Sequence, residues 1–232
     1  MFHDFKILEE NVKKAKFDKS FIFYKELGAH KTKNTSFKMV GSIAKSSSTP
    51  KFVREVLYKT INAFQPRMVV ELGCSLGLTS QYLLKAMPPN SILCLMDGND
   101  AVLRYAYQLC ASVCHHSKKI LTFGGDFHQA LQNLLAIDEQ IDFIYLDGNH
   151  QGEFLISYVD KVLPKLSPHA ILVFDDIYWD SSMYKAWKKI VQNPCITYSI
   201  DMFYTGFCFL GLNAAKQDIM LKYPFYDTLF NR

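Results

Sequence analysis

Acidic residues that each follow a short apolar run are the positions in this chain best suited to chemistry: Glu71, Asp97, Asp126, Asp147 and the pair Asp175-Asp176. A single Asp after a strand is usually a turn residue or a helix cap. Five strand ends that each carry an acid to one edge are another matter, because clustered carboxylates repel unless they face hydroxyls, amines or a cation. Asp97 lies twenty positions after Gly77, at the end of the next apolar run. A nucleotide-binding α/β unit places an acid there to accept hydrogen bonds from ribose hydroxyls, and that acid would repel a 2′-phosphate.

The turn before it reads Glu71-Leu72-Gly73-Cys74-Ser75-Leu76-Gly77. Glycines in such a strand-to-helix turn remove the Cβ atoms that would block a ligand from the backbone, and the following helix offers free N–H groups. The cofactor is therefore expected to be either NAD or S-adenosylmethionine. The third glycine of the dinucleotide fingerprint is missing, and Glu71 would repel a phosphate but suit an amine, which favours S-adenosylmethionine.

Positioning these groups requires alternating strands and helices. A helix over 51–64 opens the main domain, with Thr49 expected as N-cap, Pro50 as first helical residue and Gln65-Pro66 as the stop. Strands over 68–70, 92–96, 120–123, 141–146 and 170–174 then alternate with helices over 77–87, 100–115, 127–136, 152–163 and 181–192. Such alternation implies an α/β protein with a parallel sheet covered by helices on both faces. Runs at 196–200 and 203–210, turning near Asp201-Met202, are expected to form an antiparallel hairpin at the sheet edge. Ligands of open α/β sheets sit beyond the carboxyl ends of the strands, where the acids fall.

Composition bounds the rest. The 232 residues, 49% hydrophobic and 21% charged, suit one large domain, here residues 49–232, with a helical appendage over 1–48. Residues 1–40 hold nine lysines against five acids, and the remainder is neutral. No basic stripe marks a nucleic-acid groove, and no apolar run approaches the ~20 residues of a membrane span. A cytoplasmic protein with neither nucleic-acid nor membrane partner is expected. Six cysteines without regular spacing read as reduced thiols. Phe17, Phe21, Ile22, Tyr24 and Leu27 suggest one or two short helices ending near Gly28, and a homodimer is one way to cover them.

The turn motif, Asp97, Gly125-Asp126, Ile144-Tyr145-Leu146-Asp147-Gly148-Asn149-His150 and the late hairpin resemble the class I S-adenosylmethionine-dependent methyltransferases, over about residues 50–211. The resemblance implies a Rossmann-like seven-stranded sheet of order 3-2-1-4-5-7-6, its last strand antiparallel. It also implies that Glu71, Gly73, Ser75, Gly77 and Thr79 surround the cofactor's amino-acid end. Asp97-Gly98 would lie at its ribose, Asp126 with Phe127 at its adenine, and Asp147 on the cofactor side as well. Within the family the chain is most similar to the metal-dependent, catechol-type O-methyltransferases. That implies a divalent metal, Mg²⁺ first, on Asp147, Asp175 and Asp176, orienting the hydroxyl of a small-molecule acceptor. His150 stands where the family's usual base is a lysine, and Ile177-Tyr178-Trp179 would overhang the acceptor. Residues 39–48 would form a lid by the same analogy.

Two rival readings exist. Gly73-Cys74-Ser75-Leu76-Gly77 also fits the G-x-S-x-G nucleophile elbow, with Ser75 attacking as in α/β-hydrolases, but no histidine follows in the usual order. A non-catalytic cofactor-binding protein of the same fold is the other. Cys110, Cys114, His115 and His116 suggest zinc less than they suggest the apolar side of a helix end.

Overall fold

The computed structural model describes residues 2–25, 35–211 and 215–221. Helix α1 (Phe2–Phe17) leads into a two-stranded antiparallel sheet, β1 (Phe21–Lys25) and β2 (Thr35–Met39). Here the expectation of short helices needs correcting. Phe21-Ile22-Phe23-Tyr24 alternates with period two, so Ile22 and Tyr24 pack on the core while Phe21 and Phe23 face outward, which only a strand allows. The helix end expected near Gly28 lies outside the described residues. Helix α2 (Val40–Ser46) and helix α3 (Lys51–Phe64) follow.

Thr49 does not cap α3. Pro50 is the N-cap, and the Thr49 hydroxyl instead accepts a hydrogen bond from Thr79 Oγ1 at 2.9 Å. The helix ends as expected, at Gln65 in the left-handed region just before Pro66.

The central sheet is built from β3 (Met68–Leu72), β4 (Ile92–Asp97), β5 (Lys119–Gly124), β6 (Ile141–Leu146), β7 (Leu166–Phe174), β8 (Ile196–Asp201), β9 (Gly206–Leu210) and β10 (Gln217–Met220). Its order is β10-β8-β9-β7-β6-β3-β4-β5, with β9 antiparallel to β7 and β8. The first seven of these strands in sequence have the expected order 3-2-1-4-5-7-6. An eighth, β10, is added parallel to β8 at the edge, where Ser199 Oγ donates to Asp218 Oδ1 at 2.6 Å.

Helices α4 (Ser80–Ala86), α5 (Asp100–Val113), α6 (Phe127–Leu135), α7 (Gly152–Val162) and α8 (Ser181–Val191) connect the strands. Alternate residues of β3 enter opposite cores. Val69 joins Leu57, Tyr82, Ala106 and α1's Leu8 and Val12 on one face, and Met68, Val70 and Leu72 join Leu134, Tyr158 and Trp187 on the other. Helix α1 is tied to the domain by polar contacts as well. The buried Arg54 guanidinium meets Glu9 Oε1 at 2.7 Å, and the Tyr82 hydroxyl also donates to Glu9. Among the described residues no helix is long and apolar enough to cross a membrane.

Candidate active site

Strands β3, β4, β6 and β7 run parallel, so their carboxyl ends deliver Glu71, Asp97, Asp147 and Asp175-Asp176 to one edge. Glu71 is 1% exposed and its Oε2 has no hydrogen-bond partner. Burial, with Asp97 adding repulsion, pushes its carboxyl up to about 8. A small pocket beside it is lined by Ser47, Thr49, Gly73, Ser75, Thr79 and Asp147 among others. An orphaned buried carboxylate opening on a pocket suits a cationic amine, which is the fit that the amino-acid end of S-adenosylmethionine requires.

The turn is held by protein contacts. Gly73 (φ +84°) and Gly77 (φ +75°) take left-handed conformations, but a Cβ at Gly73 would strike the Asp147 carbonyl oxygen and one at Gly77 the Ala106 backbone. The glycines thus let the turn close on β6 and α5, rather than clearing space for a ligand as the sequence suggests. Ser75 (φ +46°) donates its N–H to Asp97 Oδ2 at 3.0 Å, and Asn99 N–H donates to Oδ1 at 2.9 Å. Burial raises the Asp97 pKa against these two bonds. Asp97 therefore clamps the turn, with lone pairs on both carboxylate oxygens still free for hydroxyl donors, and the half-buried Gly98 lies beside it.

Further along the edge, Asp126 is exposed and caps α6, accepting from Gln129 N–H at 3.1 Å. Phe127 packs inward on Phe154, ring centroids 4.4 Å apart. Each thus has a structural task of its own. Tyr145, fully buried and two residues before Asp147 on the same strand face, donates its hydroxyl to Asp175 Oδ2 at 2.9 Å and lies 3.5 Å from Asp147 Oδ2. Thr205 Oγ1 holds the other Asp175 oxygen at 2.9 Å. Burial and Asp176 push Asp175 up to about 6, and burial with Asp175, Asp176 and Glu71 nearby pushes Asp147 well up. His150 Nδ1 is 3.6 Å from Asp176 Oδ2, and its ring stacks on Trp179 at 5.2 Å. Trp179 is 63% exposed, whereas Trp187 is buried against Phe174, so only the latter is a core anchor.

The expected metal centre is not assembled. Among the described residues no group of three or more His, Cys, Asp or Glu side chains is placed to hold an ion. Asp175 is engaged through both oxygens by Tyr145 and Thr205, and Asp176 is turned to His150. Asp147, Asp175 and Asp176 share an edge without converging on one point. The nucleophile-elbow reading also lacks its base: Ser75 Oγ pairs with Ser47 Oγ at 2.8 Å. Cys110 is core, and Cys114 Sγ donates to backbone carbonyls.

Ser75, Asn149, Asp176 and Phe203 are non-glycine residues in the left-handed region, all in loops at this edge. Such strain concentrates where side chains must be aimed at a ligand. Thr49, Tyr145 and Thr205 were not foreseen. Tyr145 could have been found from its i,i+2 relation to Asp147, whereas Thr49 and Thr205 reach the site only through tertiary packing.

Residues 70–177 match a protein-family model described as a methyltransferase domain. The chain is 23% identical over 181 residues to the uncharacterized protein y4gI of Sinorhizobium fredii, a match covering 72% of this chain and 20% of that protein. The chain thus spans about a fifth of the length of this curated relative. Among solved structures it is similar to the O-methyltransferase TomG of Streptomyces achromogenes, involved in tomaymycin synthesis and solved with S-adenosylmethionine, at TM-score 0.59 and 18% identity over 70% of this chain and 80% of that one. An O-methyltransferase of Bacillus cereus, solved with S-adenosylhomocysteine, gives TM-score 0.58 and 14% identity over 71% and 82%. A chain of Klebsiella pneumoniae provisionally described as an O-methyltransferase gives 0.62 and 13% over 90% of each. At these identities the likeness is one of fold.

Proposed function

We propose that residues 70–177, which match a methyltransferase-domain model, form a domain of the class I, S-adenosylmethionine-dependent type, and that the chain transfers a methyl group to an oxygen of a small-molecule acceptor. The observation that carries this reading is Glu71, buried, with one oxygen unpartnered beside the glycine turn. S-adenosylmethionine, when bound, supplies a methyl group activated by its sulfonium.

The chain's own residues do the rest by positioning and proton transfer. Glu71 takes the cofactor's amine and is ionised by it. Gly73, Ser75 and Thr79 shape the wall around its amino-acid end, with Asp147 closing the pocket, and Gly77 lets the turn close on α5 behind them. Asp97 accepts from the ribose hydroxyls while keeping its hold on Ser75, and Gly98 gives the ribose room. Asp126 and Phe127 border the adenine.

His150 is the base. Its Nδ1 lies 3.6 Å from Asp176 Oδ2, whose negative charge favours a proton on that nitrogen and leaves Nε2 to accept the acceptor's hydroxyl proton. Trp179 fixes the ring from its other face. A divalent metal on Asp147, Asp175 and Asp176 is not used in this account, because those donors do not converge.

The test is transfer of labelled methyl groups to a panel of hydroxylated acceptors, catechols first, with and without chelator. Methylation of an oxygen that survives chelation and falls at least about 100-fold in His150→Ala supports the reading. Labelling of nitrogen or carbon instead, or activity indifferent to His150, contradicts it.

A further inference from the structure

The β1–β2 hairpin presents an outward face that the reaction does not use. Phe21 (64% exposed), Phe23 (52%) and Phe37 (71%) stand on its solvent side, next to Phe17 (70%) at the end of α1. Phe23 and Phe37 are cross-strand partners with ring centroids 5.8 Å apart at 73°. The opposite side of the same hairpin, Ile22 and Tyr24, is packed on the domain core, so the outward face is not a spare core surface turned out by misregister. It is also rigidly mounted: Val40 N–H donates to Ser20 O, and Gly41 N–H to Asp18 O, each at 2.9 Å.

Lysines flank these rings along the chain. Residues 11–24 and 35–46 contain six lysines and one acid, of which Lys38 packs over Tyr24 on the opposite side of the hairpin. Lys13, Lys14, Lys19 and Lys45 are exposed, and Lys45 Nζ lies 5.8 Å from the Phe17 ring. The single acid, Asp18, is taken up by Ser20 N–H at 2.8 Å.

We infer that the hairpin and the adjoining end of α1 dock the protein on an anionic lipid surface, with the phenylalanines entering the headgroup–acyl boundary and the lysines meeting the phosphates. Exposed apolar rings plus clustered lysines are the two signals that together give stable peripheral binding, where either alone gives little. A second copy of the chain is disfavoured as occupant, because a two-fold contact through this face would set lysines against lysines. Nucleic acid fits poorly too, since the edge-on Phe23–Phe37 pair offers no flat platform for successive bases. This contact is peripheral and not membrane-spanning. It extends to the site by a short path: β2 runs directly into α2, and Ser47 just beyond α2 meets Ser75.

The test is co-sedimentation of the full chain with vesicles of phosphatidylcholine, alone or mixed with phosphatidylglycerol, at low and high salt. Binding to the mixed vesicles only, lost at high salt, is expected. Lys13→Glu/Lys14→Glu/Lys19→Glu should weaken it at least about 100-fold, at roughly fivefold per lysine removed. Phe21→Ser/Phe23→Ser/Phe37→Ser should weaken it similarly, with circular dichroism and cofactor binding unchanged. No binding of the folded wild-type chain to anionic vesicles would overturn the inference. So would equal binding to neutral vesicles, retention on single-stranded DNA without vesicle binding, or a concentration-dependent dimer that the phenylalanine variant abolishes.

Discussion

The carboxyl edge of the sheet and the N-terminal hairpin break the usual partition of residues in opposite directions. The edge buries Glu71 and Asp175 and half-buries Asp97 where apolar side chains would be cheaper, and the hairpin with the end of α1 exposes four phenylalanines that a core would readily take. In the first region the buried groups are acids with no basic side chain to neutralise them; among the described residues the ion pair at this edge is His150–Asp176. In the second, the exposed rings sit among lysines with one acid between them. Each violation carries the charge opposite to the partner that would resolve it. On the readings proposed above, the cofactor's amine lies over the acids and an anionic surface under the rings.

The largest effect is expected where α1, which leads into the hairpin, is tied to α3. Arg54→Met removes the partner of Glu9 and the donor to Thr49 O, and is expected to cost about 3 kcal/mol in denaturant unfolding. A negligible change would mean that α1 is a loose appendage after all. Next comes Asp97→Ala, which removes the acceptors of Ser75 and Asn99 N–H as well as those offered to the ribose. S-adenosylhomocysteine binding should weaken by about 100-fold or more by calorimetry, with the fold retained.

A subtler outcome is the pH dependence. The Glu71 and Asp175 pKa values are raised in the folded chain, to about 8 and about 6. Their contribution to stability is thus fully present below the ordinary carboxylate range and is lost as pH rises through those values. Thermal melting of the unliganded chain should fall from acid toward pH 8, Glu71→Gln should flatten the upper part of that decline, and S-adenosylmethionine should protect more at the higher pH. The smallest effect is expected at the hairpin: Phe21→Ser should change stability by no more than about 0.5 kcal/mol in the absence of membranes.

The sheet was legible because its inner strands β3, β4 and β6 are buried on both faces and read as largely apolar runs; 141–146 and the helix over 51–64 match in both ends. Glu71, Asp97 and Asp147 were legible because parallel strands must deliver their ends to one edge. Strand β10 was not, since Gln217–Met220 is exposed throughout and carries no hydrophobic pattern. The hairpin was misread because the same aromatic run satisfies a helix or a strand until its partner strand is known. The metal expectation rested on residue types at strand ends, and types do not specify where oxygens point. Asp175 is claimed by Tyr145 and Thr205, the latter thirty residues away in sequence.

Isothermal titration of the full chain with S-adenosylhomocysteine and, separately, with NAD tests the central claim most directly. Binding of S-adenosylhomocysteine and not of NAD, lost in Asp97→Ala, is predicted. Binding of NAD, or of neither by a folded chain, would contradict the account.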